Sequence, residues 1–323
     1  MAERKRAATG EEGSARLAHP NLSRRSSPRP RLDIGITVVV LTGLTAVGLA
    51  GFVSFSTLFS PEQPLPEPVD RRAGGGSSEG PPPGTGSGSE VLTANPLYTT
   101  GQLAEVTCEA PGLDPDDEES MERFLHRVTD CLDEAWREQF SHTEAGFEPP
   151  DRIYWYASGK SPCGNYPMRN TAAFYCQANE GLYLGVDDIV ENSGESTDPE
   201  TYTFLLSHEY AHHVQGEAGI LDYFHEQRRQ ESEDTKQERL TRRSELQANC
   251  LGGAFLGTVA DSYPIGAAER ENVLADAQRR GDYDTGERTH GSPENGKLWT
   301  AHGMDRRDPA ACDTWKAGRD LVD

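Results

Sequence analysis

The stretch His208-Glu209-Tyr210-Ala211-His212 decides how this chain is interpreted, because it sets two histidines four residues apart with a glutamate beside the first. On a helix, positions i and i+4 lie on one face, so both imidazoles can meet one metal ion while Glu209 projects beside an open coordination position. The pattern therefore indicates a helix that carries two metal ligands and a catalytic carboxylate. A chance match is the alternative, and it is rare in a chain with nine histidines.

The residues around this motif are typical of a buried helix. Asp198 can cap the first free amides, Pro199 fits the first turn, and apolar residues follow on nearly all sides. Gly216 is the expected left-handed stop, so the predicted helix covers about residues 199–215. His213 points about 100° away from the ligand face, so we predict that it packs or supports a ligand instead of binding the metal.

A catalytic zinc ion takes three protein ligands, so a third ligand is expected downstream. The best candidate is Glu245, in a predicted helix from about residue 235 to residue 256. Glu245 shares one helix face with the small residues Ala248 and Gly252, which would let the two helices approach closely. Asn249, one turn after Glu245, is placed to orient the ring of the first histidine. A surface glutamate in an acid-rich helix is the alternative.

Five short motifs follow one another between about Cys108 and Trp315. They are Phe174-Tyr175-Cys176, Leu182-Tyr183-Leu184, the run from His208 to Gln215, the run from Glu245 to Cys250, and Thr289-His290-Gly291-Ser292. In order and spacing they resemble the neutral zinc metallopeptidase family of bacterial membrane-anchored proteins. The resemblance implies a gluzincin-like peptidase with a zincin-like α+β fold, built from a small sheet, the helix of the His-Glu-x-x-His motif and a second ligand-bearing helix. It also implies one zinc ion per chain, bound by His208, His212 and Glu245.

The chain departs from the family at Asn249, where members commonly carry aspartate. An asparagine can accept a hydrogen bond from an imidazole but supplies no negative charge, which predicts weaker metal binding and not the loss of the site. In such a centre the metal activates water and polarises the scissile carbonyl, and Glu209 is the expected general base.

The motif around His290 predicts a loop near the metal cleft. Histidine can donate a hydrogen bond to a developing oxyanion, and Gly291 permits a close approach, so we predict that His290 stabilises the transition state or helps to position the carbonyl. A hydrogen-bonding turn residue is the alternative. Tyr210 and Tyr183 are then the next candidates for the donor.

The stretch from Ile34 to Phe59 contains 26 residues without a charge. As a helix it exceeds the hydrocarbon core of a bilayer, about 30 Å, and it is therefore predicted to be a transmembrane helix. A cleaved signal peptide, with Ala50-Gly51 as a permissive site, is the alternative. Residues 60–90, rich in Pro, Gly and Ser, are predicted to form a disordered linker, and residues 91–323 a single extracytoplasmic domain.

Charge predicts the orientation of this anchor. Residues 1–33 hold eight basic and four acidic residues, so they are expected to form a cytoplasmic tail, with the rest of the chain on the outside of the cell membrane. A nucleic-acid-binding tail is the alternative, but the cluster adjoins the span. The chain after residue 33 holds 23 basic and 49 acidic residues, a net charge of −26, which argues against nucleic acid as a partner.

All six cysteines follow the predicted span, which is typical of an exported, disulfide-bonded domain. Six cysteines allow fifteen pairings, and a second zinc site is the alternative. Closeness in sequence favours Cys163–Cys176 across a hairpin and Cys108–Cys131 at the first helix, which leaves Cys250–Cys312.

Upstream of the motif, the pattern predicts a small sheet. Strands are expected at residues 152–156, 172–176 and 181–185, with a turn between the last two at residues 179–181. An acidic run at residues 114–119 opens a predicted amphipathic helix. The edge of the sheet could pair with an extended substrate.

Together these patterns predict a single-pass, membrane-anchored α+β zinc metallopeptidase that acts on a peptide or protein substrate. A catalytically silent binding or scaffold protein with the same fold is one alternative, and a zinc hydrolase of a non-peptide bond is another.

Overall fold

The computed structural model describes residues 88–167, 171–283 and 288–323. The predicted cytoplasmic tail (1–33) and transmembrane helix (34–59) lie outside the described residues, as does the predicted linker up to residue 87. The first described helix begins at Glu90, the last residue assigned to that linker. Within the described ranges, no helix is both long and apolar enough to cross a membrane.

The fold is α+β, as predicted, with eight α-helices and five short strands among the described residues. The helices are α1 Glu90–Thr93, α2 Glu118–Ser141, α3 Val186–Asn192, α4 Pro199–Glu217, α5 Ile220–Gln230, α6 Asp234–Val259, α7 Ala267–Arg279 and α8 Pro293–Arg306. The strands are β1 Asp151–Trp155, β2 Gly159–Ser161, β3 Gly164–Tyr166, β4 Ala173–Cys176 and β5 Gly181–Gly185. Short 3-10 turns lie at Pro96–Thr99, Gln177–Asn179, Pro309–Cys312 and Arg319–Leu321.

Three strands form a small sheet in the order β1-β5-β4. β5 lies in the centre, runs parallel to β1 and antiparallel to β4, and is buried along its whole length. Phe174 pairs with Tyr183 across β4 and β5, and their rings stack with centroids 4.7 Å apart. β4 is an edge strand, so one side of its backbone is left for another partner. The three predicted strands match within one residue at each end, whereas the β2–β3 hairpin was not predicted.

Helix α2 is opened by the acidic run and packs its apolar face into the core. Its first residue is Glu118, because the side chain of Asp117 accepts a hydrogen bond from the amide of Glu119 and so caps the helix. Burying each large apolar side chain of this face contributes about 1.5 to 3 kcal/mol. The buried residues of this face include Phe124, Leu125, Val128, Leu132 and Trp136.

Helix α4, Pro199–Glu217, carries the His-Glu-x-x-His motif and lies in the middle of the core. Asp198 occupies the predicted N-cap position, but its carboxylate makes no cap and instead accepts a hydrogen bond from the hydroxyl of Ser196. The prediction that Gly216 ends the helix is wrong. The left-handed residue is Gly219 (φ 72°), whose amide donates to the carbonyl of Gly216, so the chain turns later than predicted.

Helix α6 packs against both α4 and α8. It extends a few residues beyond the predicted ends, to Asp234 and Val259. Its contact with α8 brings the two backbones together, because a Cβ on Gly303 would lie 1.9 Å from the carbonyl oxygen of Cys250. Only glycine leaves room for this approach. The close packing makes α6 a rigid support for the ligand it carries.

Three disulfides brace the fold, and none of the six cysteines is free. The first joins the segment before α2 to α2, the second joins the β2–β3 hairpin to the end of β4, and the third fixes the C-terminal segment to α6. The pairs are the predicted ones, Cys108–Cys131, Cys163–Cys176 and Cys250–Cys312.

Candidate active site

Helix α4 presents His208 and His212 on one face, one turn apart. Their ring centroids lie 5.0 Å apart, and the ring planes are nearly perpendicular, at 88°. Both side chains are largely buried, with exposed fractions of 12% and 15%. The two imidazoles therefore share one small space at the edge of the core.

Helix α6 brings Glu245 to the same space because its backbone approaches α4 closely. A Cβ on Gly252 would lie 3.1 Å from the amide nitrogen of His208 and from the carbonyl carbon of Ser207. This small residue on the Glu245 face is what the sequence predicted. The close approach lets a side chain as short as glutamate reach both histidines.

The separations between Glu245 and the two histidines match those of a tetrahedral metal site. Glu245 Oε2 lies 3.3 Å from His208 Nε2 and 3.4 Å from His212 Nε2, and one ligand atom from each residue falls within 4.8 Å of the others. Ligand atoms at about 2.0 to 2.2 Å from a tetrahedral zinc ion lie about 3.3 to 3.6 Å from one another. The donor set and its spacing fit zinc.

Two amide side chains fix which nitrogen each histidine presents. Nδ1 of His208 lies 2.9 Å from Oδ1 of Asn249, and Nδ1 of His212 lies 2.8 Å from Oε1 of Gln215. An amide oxygen only accepts, so each Nδ1 carries a proton and each Nε2 is the ring nitrogen that faces Glu245 and is available to bind a metal. Such partners orient metal-binding histidines.

Gln215 was not recognised from the sequence as part of the site. Its own orientation is set on α6, since its Nε2 donates to the carbonyl of Ser244 and to Oε1 of Gln247. Its oxygen is consequently the atom that faces His212. The available signal was its position three residues after His212, on the next turn of α4.

The carboxylate of Glu245 lies next to both imidazoles and shifts the charge equilibria of the cluster. Burial opposes a charge on His212, but the adjacent Glu245 carboxylate outweighs it and raises the pKa of His212 to about 9. Burial also acts to raise the pKa of Glu245, yet His212 and His208 hold it well below its usual value. The carboxylate of Glu245 and the imidazole of His212 thus form an ion pair.

Glu209 lies beside the cluster and is not one of its three converging ligands. Burial raises its pKa, and the neighbouring histidines only partly oppose this effect. It lines both cavities that flank the histidines, one of about 640 Å³ and one of about 390 Å³. A buried carboxylate of raised pKa at a cleft has the properties of a general base.

His290 reaches the cleft from the loop before α8. Its Nε2 lies 4.0 Å from Oε2 of Glu245, and its ring lines both cavities. Gly291, with φ 80°, packs so closely on Leu246 that a Cβ would lie 2.9 Å from a methyl carbon. The loop therefore approaches α6 as the glycine predicted.

Asp282, which the sequence did not single out, holds the His290 loop in place. Its Oδ2 accepts hydrogen bonds from the amides of His290 (2.9 Å) and Gly291 (2.8 Å), and its Oδ1 lies 3.7 Å from Nδ1 of His290. Hydrogen bonding to Asp282 raises the pKa of His290, which favours the protonated ring. His290 is thus oriented as a hydrogen-bond donor towards the cleft.

The other candidate residues face elsewhere. The hydroxyl of Tyr210 is buried and donates to Asp133 on α2, 2.7 Å away. Tyr183 is part of the aromatic stack of the sheet, and its hydroxyl accepts a hydrogen bond from Asn179. His213 is buried with Nε2 at 2.8 Å from the carbonyl oxygen of Glu148, so it packs and does not join the metal cluster.

Comparison with known proteins places this site in a family. Residues 89–315 match the family described as "Putative neutral zinc metallopeptidase". The chain belongs to this family. The matched segment contains the whole His-His-Glu cluster and the His290 loop.

Several bacterial proteins of similar sequence bear the description "Uncharacterized protein". The chain is 25% identical to YpfJ of Escherichia coli (strain K12) over 229 residues, which cover 67% of this chain and 78% of YpfJ. It is 29% identical over 167 residues to Rv2575 of Mycobacterium tuberculosis (strain H37Rv) and to Mb2605 of Mycobacterium bovis, covering 45% of this chain and 55% of each relative. No solved structure matches the chain significantly.

Proposed function

We propose that this protein is a zinc metallopeptidase that hydrolyses peptide bonds. The observation that carries the proposal is the convergence of His208, His212 and Glu245 with Glu209 beside them. Three nitrogen and oxygen ligands that leave one coordination position open are typical of catalytic zinc sites, whereas structural sites are closed by four ligands. Family membership supports the same chemistry.

The residues around the cluster have separate roles in the proposed hydrolysis. Zinc, when bound by the three side chains, supplies Lewis-acid activation of water and of the scissile carbonyl. The carboxylate of Glu209 takes the proton of the attacking water and later passes it to the leaving amine. Nε2 of His290 donates a hydrogen bond to the carbonyl oxygen as negative charge develops there. Asn249 and Gln215 keep the ligand nitrogens turned towards the metal.

The edge strand β4 is the expected support for an extended substrate. Ala173 lines both cavities, and Phe174 and Tyr175 line the smaller one. An exposed strand edge can add a peptide as a further strand through main-chain hydrogen bonds. This arrangement favours a peptide or protein substrate over a small non-peptide molecule, and the strongly acidic domain is a poor partner for nucleic acid.

We infer that the catalytic domain lies outside the cell membrane, held by a single helix at residues 34–59. The inference rests on the uncharged apolar stretch, on the basic residues before it, and on three disulfides in the domain that follows. A periplasmic or extracellular site preserves such bonds, whereas a reducing cytosol does not.

A catalytically silent scaffold is the second candidate. Loss of the base or of one ligand would favour it, but Glu209 and all three ligands are present. The remaining alternative, hydrolysis of a non-peptide bond, would use the same metal and base. Only the substrate separates it from a peptidase.

The test is metal analysis of the purified full chain in detergent, combined with cleavage of a peptide library. We expect about one zinc ion per chain and cleavage that a chelator abolishes and added zinc restores. A zinc-loaded protein that cleaves no peptide would contradict the peptidase proposal, and a protein that binds no zinc would contradict the metal site as well.

A further inference from the structure

A second group of charged residues lines the larger cavity beside Glu209. The group consists of Asp276, Arg279 and Arg280 at the C-terminal end of α7. His208 and Glu209 line the same cavity of about 640 Å³. The charged group and the proposed reaction centre therefore share one space.

Asp276 is the centre of this group. Its carboxylate is only 2% exposed and contacts both arginines, with Oδ1 at 2.5 Å from Nη2 of Arg279 and Oδ2 at 2.7 Å from Nε of Arg280. One carboxylate thus faces two guanidinium groups, and Glu209 is a second carboxylate on the lining of the same cavity. The nearby Asn249 adds no charge to the cavity wall.

Two arginines beside one another on a cavity wall contrast with the acidic composition of the domain. The chain after residue 33 carries a net charge of −26, so cations beside the centre are not a consequence of composition. A cavity with low-dielectric walls focuses the electrostatic field of such groups on a molecule that enters it.

Arg280 is the better placed of the two arginines. Its side chain is 27% exposed, compared with 55% for Arg279. Nε of Arg280 is engaged by Asp276, while Nη2 is shielded from solvent and has no hydrogen-bond partner among the described residues. A shielded donor left unpaired is costly, and a guanidinium group pairs best with the planar oxygens of a carboxylate.

We propose that Arg280, supported by Asp276, binds a carboxylate of the substrate in this cavity. The substrate class is then a peptide with an acidic group close to the scissile bond, either an Asp or Glu side chain or a free C-terminal carboxylate. Arg280 determines specificity and takes no part in the chemical step. The cleavage of such a peptide rests on the proposed function, whereas its binding does not.

The experiment measures binding in the zinc-loaded full chain carrying Glu209→Gln, so that turnover does not interfere. The probes are acetylated and amidated hexapeptides of alanine and leucine, with a single Glu or a single Gln at each position in turn. A second set compares the same hexapeptide with a free or an amidated C-terminus. The matched control for Arg280→Gln is Arg270→Gln, because Arg270 lies on the same helix and pairs with Asp305 away from the cavity.

We expect the Glu peptide to bind about tenfold more tightly than the Gln peptide at one position, or the free acid more tightly than the amide. Arg280→Gln should abolish this difference in affinity, Arg280→Lys should reduce it, and Arg270→Gln should leave it unchanged. The two peptide sets distinguish a side-chain carboxylate from a C-terminal one. The ratio of the two peptide affinities in the protein that retains Arg280 tests the proposal even if the Arg280 variants do not fold.

Equal affinity within both peptide sets would overturn the proposal. The proposal would also be overturned if Arg280→Gln lowered the affinity for Glu and Gln peptides by the same factor. Arg280 would then contact the peptide backbone or only stabilise the end of α7. Selective binding with no cleavage by the wild-type protein would overturn the proposed function alone. Cleavage without any preference for acidic peptides would overturn this inference alone.

Discussion

The amide oxygen of Gln215 lies 2.8 Å from Nδ1 of His212, on the same helix that carries both histidine ligands. The same Gln215 donates through Nε2 to two groups of α6, the helix that carries Glu245. One buried side chain therefore links the orientation of a ligand on α4 to the position of a ligand on α6. Zinc affinity should depend on this link as well as on the three ligands.

Replacing Gln215 by alanine should weaken zinc binding. The His212 ring then loses the acceptor that fixes its tautomer, and partners of this kind typically contribute a factor of about 10 to 100 in metal affinity. Competition with a chromophoric chelator measures the dissociation constant. Gln230→Ala, at an exposed glutamine of α5, is the matched control and should leave the constant unchanged. Equal constants for both variants would mean that Gln215 does not orient His212.

The Asn249→Asp substitution should strengthen zinc binding. The added negative charge would face Nδ1 of His208 at the position where Asn249 now accepts a hydrogen bond, and a charged acceptor raises the basicity of the imidazole. The same chelator competition applies. An unchanged or weaker affinity would show that the neutral amide already satisfies His208.

Substitutions of Glu209 and Glu245 should separate the effects on catalysis from those on metal binding. Glu209→Gln keeps the three ligands, so it should retain about one zinc ion per chain while turnover falls by about 100-fold or more. Glu245→Ala removes a ligand and should lose zinc itself. Metal analysis and a peptide cleavage assay on both variants check this division. Equal zinc loss in the two would reverse the roles assigned to them.

Local patterns in the sequence predicted the framework of this site. The spacing of His208 and His212 and the small residue Gly252 are features of single helices, and periodicity is sufficient to find them. The strands β1, β4 and β5 likewise followed from short apolar runs between turn residues. Such features depend on neighbours in sequence, so the fold class and the converging ligands could be predicted.

Several features that depend on how separate elements meet were not predicted. Gln215 faces His212 only because α6 fixes its amide, and Asp282 holds His290 only because the chain turns back before α8. The pairing of Arg280 with Asp276 is a local i,i+4 contact, but its place beside Glu209 depends on the packing of α7. The polar β2–β3 hairpin has no apolar alternation, and so no strand was predicted there.

Replacing His290 by alanine should lower turnover and catalytic efficiency together without loss of zinc. A donor to a developing oxyanion typically contributes about 100- to 1,000-fold in turnover, and its contribution is made only in the transition state. His142→Ala is a matched control, because His142 is 49% exposed and His290 51% exposed. A variant with wild-type turnover and zinc would make His290 a loop residue only.

Asp282→Asn tests whether His290 acts through its orientation. Asn cannot favour the protonated ring as Asp282 does, so we expect a smaller loss of turnover than in His290→Ala, and a shift of the pH profile. The double variant should be no worse than His290→Ala alone. Additive losses would mean that Asp282 supports the loop independently of the ring.

Protonation of His213 should destabilise the protein in mild acid. Burial lowers the pKa of His213 from 6.5 to about 4 in the folded state. Between these pH values His213 is therefore protonated in the unfolded chain and neutral in the folded chain. The free energy of unfolding is therefore unaffected above about pH 7 and falls as the pH decreases through this window, by about 2 kcal/mol at pH 5.

Urea unfolding at pH 7 and pH 5 measures this term. The control is His142→Asn, because His142 is a half-exposed histidine on the surface. His213→Asn lowers stability at both pH values through the lost packing on Tyr210, but its further loss at pH 5 should be smaller than that of the wild type by about 2 kcal/mol. If acidification costs all three proteins the same free energy, then His213 accepts a proton in the folded state and its burial does not control the acid response.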